Sequence, residues 1–118
     1  MKKNIGIVFG GVSVEHEVSI ITGLQIYENI DKEKYGVTLI YIAKDGLWYS
    51  GDNLKSVKLY EDWGNNRRKV KQFFPSFNKR DGKNILGKLD SVIIACHGNY
   101  GEDGKLQGFF ELLDIPYS

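Results

Sequence analysis

Hydrophobic positions along this chain change period several times, and each change marks an element. Ile5-Gly6-Ile7-Val8-Phe9 reads as an opening strand, and Gly10-Gly11-Val12 as a turn that needs glycine's backbone freedom. Ser13 is placed to cap a helix whose Val14, Val18, Ile20, Ile21, Leu24 and Tyr27 predict a broad apolar stripe facing the core. Gly23 within that helix costs about 1 kcal/mol relative to alanine, which predicts close packing against the sheet. A turn over Asp31 to Gly36 leads into Val37-Thr38-Leu39-Ile40-Tyr41-Ile42, a β-branched strand. Strand, helix and strand within some forty residues make a right-handed βαβ unit with parallel strands. Val92-Ile93-Ile94-Ala95-Cys96 is a continuous apolar run of the kind buried on both faces of a parallel sheet. Leu106, Phe109, Phe110 and Leu113 recur at helical spacing after it, with Asp103 as the predicted cap, a start near Gly104, and Pro116 as the stop.

The stretch from 44 to 86 has no such regularity. Lys44-Asp45-Gly46 reads as a tight turn into a short strand, Leu47-Trp48-Tyr49, and Asp62 to Arg80 mixes charge with Trp63, Phe73, Phe74 and Phe77. This predicts a hairpin insertion on the domain edge, with Trp48, Tyr49 and Trp63 as edge core rather than a stacking platform. The 118 residues make one domain, large enough to bury about two-thirds of its unfolded surface. No apolar run approaches the roughly 20 residues of a membrane span, and the apolar start is too short for a signal peptide. A single cysteine, Cys96, permits no internal disulfide and suits the cytoplasm. A net charge of +1 gives no electrostatic case for nucleic acid or membrane, and Arg67-Arg68-Lys69 reads as a solvated face.

Candidate chemistry lies in the two loops that follow apolar strands. In Gly10-Gly11-Val12-Ser13-Val14-Glu15-His16-Glu17-Val18-Ser19 the helix start favours negative charge, so it holds Glu15 ionised and makes it a partner for a substrate ammonium. Neither the dinucleotide-binding glycine pattern nor the phosphate-loop Gly-Lys-Ser/Thr is present. His97 follows Cys96 directly, but successive strand residues face opposite sides, which argues against a cysteine–histidine dyad. At a strand's carboxyl end, where open α/β sheets bind ligands, His97 would share one rim with Glu15. A purely structural glycine turn and a surface histidine are the alternatives that these residues leave open. His16, Glu17, Glu102 and Asp103 lack the spacing of a zinc or calcium site, so no intrinsic metal is expected.

Gly10-Gly11-x-Ser13-x-Glu15-His16-Glu17-Val18-Ser19, with His97-Gly98-x-x-Gly101-Glu102-Asp103-Gly104-x-Leu106-Gln107-Gly108-x-x-Glu111 and Ile115-Pro116-Tyr117, resembles the N-terminal domain of D-alanine:D-alanine ligases. The resemblance implies a three-layer α/β/α fold with a mainly parallel sheet, a Rossmann-like domain that precedes an ATP-grasp. It implies ATP and Mg²⁺ as cofactors, phosphorylation of the first D-alanine's carboxylate, and attack on the acyl phosphate by the second amine, in peptidoglycan precursor synthesis. Glu15 would bind and orient the first D-alanine's ammonium and is the catalytic candidate. Val18 would touch its side chain, and His97 with Gly98 would lie beside the reacting carboxyl. Homodimerisation follows from the resemblance alone. The expected unit is residues 1–118, a fragment without ATP-grasp domains and inactive by itself. The rivals are a small amino-acid or anion binding module, a D-alanine:D-lactate or D-alanine:D-serine ligase, and another carboxylate-amine ligase.

Overall fold

A computed structural model describes residues 2–11, 16–80, 84–95 and 102–118, and for 102–105 the backbone only. Strands β1 (Lys3–Gly10), β2 (Tyr35–Ile42), β3 (Trp48–Ser50), β4 (Lys71–Phe73) and β5 (Ser91–Ile94) form one sheet in the order β4-β3-β2-β1-β5. β1 lies parallel to both β2 and β5, with Ile7 opposite Leu39 on one side and Ile93 on the other. β3 and β4 extend the β2 edge in antiparallel fashion. The parallel centre and βαβ unit agree with the sequence pattern.

Alternation along the strands divides the core into two. Ile7, Phe9, Leu39 and Tyr41 face helix α1 (His16–Asn29), where Ile20 and Leu24 meet them. Val8, Ile40 and Ile42 face the opposite side, where Phe110 of helix α4 (Glu102–Leu112) packs with Leu113, Ile115, Leu86 and Val92. Side chains of period 2 on a central strand must serve both faces, and a helix on each gives the three layers. Gly23 allows the close approach of α1: a Cβ there would stand 2.7 Å from Phe9 Cβ.

Three expectations are corrected. The inward face of α1 is His16, Ser19, Ile20, Gly23 and Leu24, whereas Val18 and Ile21 are more than half exposed and lie outside the core. A stripe chosen by apolarity misread a face whose i, i+3, i+4, i+7, i+8 positions include two polar residues. α4 begins at Glu102, so Asp103 sits in its first turn, not at its cap. Its end is not made by Pro116 either. Asp114 adopts φ 56°, the Ile115 N–H bonds the Phe110 carbonyl at 2.9 Å, and the Asp114 N–H bonds that of Glu111 at 3.0 Å. This is a Schellman closure with aspartate at the left-handed position, and the Phe110–Ile115 apolar contact accompanies it. Pro116 instead begins a segment that lies along β5: Val92 N–H bonds its carbonyl at 2.9 Å, and Tyr117 bridges Val92 in parallel.

Between Ser50 and Lys71 the chain runs through a 3₁₀ turn at 52–55 and the short helices α2 (Val57–Glu61) and α3 (Trp63–Asn66). Tyr49, Leu54, Leu59 and Val70 join the α1-side core, and Trp48 and Phe73 join the other. Phe74 and Phe77 are exposed.

Candidate functional site: the carboxyl ends of β1 and β5

β1 is the strand at which the sheet changes direction: the chain leaves it through α1 to β2 on one side, and β5 adjoins it on the other. Such a switch point opens a crevice beyond the carboxyl ends of the two strands. At this place β1 ends at Gly10 and Gly11 follows it, with φ 91° and 99°, a conformation that L-residues with side chains rarely adopt. Gly11 N–H bonds the Ile42 carbonyl at 2.8 Å, which ties the turn to the end of β2.

Two side chains from the first turn of α1 secure this end of the sheet. His16, buried, spans from the Gly11 carbonyl (Nδ1, 2.5 Å) to the Tyr41 hydroxyl (Nε2, 2.6 Å). A carbonyl only accepts, so Nδ1 carries the proton, and in the neutral ring Nε2 accepts from Tyr41. Ser19, fully buried, accepts from Gly10 N–H at 2.8 Å and donates to the Ala95 carbonyl at 2.7 Å. The roots of the two loops thus meet on one serine hydroxyl.

Beside this end lies a cleft of about 220 Å³ lined by His16, Glu17, Ile20, Tyr41, Lys44, Tyr60 and Trp63. Tyr41 packs edge-on against Tyr60 and Trp63, with ring centroids 5.0 and 4.8 Å apart. Burial pushes the Tyr41 and Tyr60 hydroxyls well above the ordinary phenol range, so both stay protonated and act as neutral hydrogen-bonding groups. Glu17 pairs with Lys44 at 3.0 Å across the mouth, and that hydrogen bond holds its carboxyl below the usual range. Both side chains are about two-thirds exposed, so the pair adds little to stability.

Of the residues singled out from the sequence, Glu15, His97 and Gly98, like Cys96, lie outside the described residues. Val18 is exposed in the first turn of α1. Gly11 and Ala95, the last described residues before 12–15 and 96–101, lie at neighbouring strand ends. Ser19, His16 and Tyr41 are the residues whose tasks sequence reasoning missed. The available signal was spacing: His16 and Ser19 fall in register with Gly23, which had been assigned to the sheet-facing side.

This is an α/β domain whose polar strand-end crevice is built from the first turn of its first helix. Residues 4–118 match the family model described as D-ala D-ala ligase N-terminus, and the chain belongs to that family. It is 41% identical to a D-alanine–D-alanine ligase of Thermosipho melanesiensis, an alignment that covers 98% of this chain and 33% of the relative. The crystal structure of the VanG D-Ala:D-Ser ligase from Enterococcus faecalis superposes with a TM-score of 0.83 at 34% identity, over 99% of this chain and 35% of that one. A D-alanine–D-alanine ligase from Bacillus anthracis, crystallised with ATP, matches with a TM-score of 0.56 at 31% identity, over 100% and 28% of the two chains. The chain therefore spans about a third of the length of the relatives it matches.

Proposed function

We propose that this chain is the first-substrate domain of an ATP-dependent D-alanine:D-alanine ligase of peptidoglycan precursor synthesis. The observation that supports it most is the meeting of the Gly10 and Ala95 strand ends on Ser19 at the switch point, within a chain of this family. Glu15 follows the first strand end and His97 with Gly98 the second. In this reading the Glu15 carboxylate grips the ammonium of the first D-alanine, Val18 borders its methyl group, and His97 and Gly98 flank the carboxyl that reacts. Their work is positioning, which lowers a barrier by several kcal/mol when geometry is tight.

ATP with Mg²⁺ supplies the phosphoryl group that activates the carboxyl for attack by a second D-alanine's amine. Among the described residues no cluster of three or more carboxylate, imidazole or thiol groups is placed to hold a metal, and no residue of this chain is assigned to either cofactor. We assign both to ATP-grasp domains beyond this unit, and residues 1–118, with the 44–86 edge insertion, to the substrate side alone. The enzyme is read as a cytoplasmic homodimer. Among the described residues no helix is long and apolar enough to cross a membrane.

The test is Glu15→Gln in the full-length protein. Losing one charged hydrogen bond while keeping shape is expected to raise the KM of the first D-alanine by about 10- to 100-fold and leave that of ATP within about twofold. Equal loss on both substrates counts against the assignment.

A further inference from the structure

The ladder between β1 and β5 stops one rung early, and Ser19 stands where the next rung belongs. In a parallel pair, a residue that donates its N–H to one neighbour accepts at its carbonyl from the residue two further along the same strand. Ala95 obeys the first half: its N–H bonds the Val8 carbonyl at 2.7 Å. The second half calls for Gly10 N–H on the Ala95 carbonyl. Instead Gly10 N–H bonds Ser19 Oγ at 2.8 Å, and Ser19 Oγ–H bonds the Ala95 carbonyl at 2.7 Å. Two hydrogen bonds in series replace one, so the strand ends are spread by an inserted oxygen without either backbone group being left unpaired.

The inserted atom is held firmly. Ser19 is fully buried in the first turn of α1, and Gly23 one turn later lets that helix lie against Phe9. On the far side of β1, the Gly11–Ile42 bond and His16's bridge to Tyr41 keep the turn close to β2. β1 and β2 thus stay together while β1 and β5 part.

We propose that Ser19 is a positioning residue, a hydroxyl wedge that sets the separation of the β1 and β5 strand ends at Gly10 and Ala95. It acts through Gly10 and Ala95 and touches no substrate. That this separation serves D-alanine binding rests on the ligase reading above; the wedge itself does not.

The experiment uses the full-length protein with Ser19→Ala and Ser19→Thr. A crystal structure of Ser19→Ala reads the wedge, and steady-state kinetics read its consequence. Wild-type protein that uses no D-alanine with ATP dismisses the ligase reading, and the crystallographic arm then decides the wedge alone. Support is a direct Gly10 N–H to Ala95 carbonyl bond of about 2.9 Å in Ser19→Ala. Where the ligase reading holds, support also requires a first-D-alanine KM raised at least about tenfold, ATP KM within about twofold, and recovery in Ser19→Thr, which keeps the oxygen. Strand ends that stay parted without the hydroxyl, an unchanged D-alanine KM, or a parallel loss on both substrates overturns the proposal. If Ser19→Ala does not fold, Ser19→Thr decides: D-alanine KM within about threefold of wild type supports the wedge, and a larger rise overturns it.

Discussion

The α4 side of the sheet is filled mainly by hydrocarbon and aromatic carbon, from Val8, Ile40 and Ile42 to Leu86, Val92 and Phe110, with the buried Asn84 just before Ile85 and Leu86 as a polar exception, whereas the α1 side buries His16, Ser19, Tyr41 and Tyr49 among its aliphatic residues. Both faces come from the same strands by alternation of side chains. They differ in what they specify. Apolar packing is non-directional and rewards volume and area. A buried hydroxyl or imidazole is tolerated only with its partners in place, so each one fixes a distance. The directional face is the one that meets the strand ends where the two loops begin, and the hydrocarbon face holds the sheet together behind it.

Substitutions that separate stability from substrate use are the sharpest way to break this contrast. Leu86→Ala, on the hydrocarbon side, removes a fully buried side chain and is expected to cost about 2–5 kcal/mol by chemical denaturation, with D-alanine KM unchanged in the full-length protein. A matching rise in KM would show that the two faces are not separable. Tyr41→Phe on the polar side leaves the buried His16 Nε2 without its donor. The expected loss is smaller, about 1–2 kcal/mol, and no loss in denaturation midpoint would mean that the His16–Tyr41 bond carries no constraint.

The smallest effect belongs to the rim. Arg67 reaches Asp45 at 3.0 Å and donates to the Tyr49 hydroxyl at 2.6 Å. Partial burial pushes the Asp45 carboxyl up, but the Leu47 N–H and the Arg67 guanidinium outweigh it and hold the group below its ordinary value. A carboxyl depressed in the folded state stabilises above its unfolded pKa, and that contribution fades as pH falls through the folded value. Both side chains are more than a third exposed, so solvent screens the pair. Asp45→Asn is therefore expected to lower Tm at pH 7 by less than about 3 °C, with the difference from wild type fading as pH falls through the depressed folded-state value. A large shift, or one that persists in acid, would place more of the fold's stability in its rim than the faces allow.

Much of this organisation was legible in the chain itself. Continuous apolar and β-branched runs marked β1, β2 and β5, the glycine pair marked the turn, and Gly23 marked the sheet-facing side of α1, because each rests on local sterics or on burial of a short segment on both faces. Within the 44–86 stretch the short strand after Lys44-Asp45-Gly46 was legible, whereas β4 was not: its three residues are a strand only through pairing with β3. The end of α4 was read from Pro116 because proline is a local signal, but aspartate at the left-handed position is set by the Schellman bonds that follow it.

The sequence by itself determined a βαβ core, two glycine-bearing loops after apolar strands, and the motifs that carry the family. Tertiary structure alone decided that Ser19 and His16 face inward while Val18 and Ile21 face out, and that a serine hydroxyl sits between Gly10 and Ala95. The reason is physical. Which face of a helix is buried, and which polar group replaces a rung between two strands when that group stands 76 residues from the carbonyl it meets, depend on where the other elements lie. No local propensity encodes that.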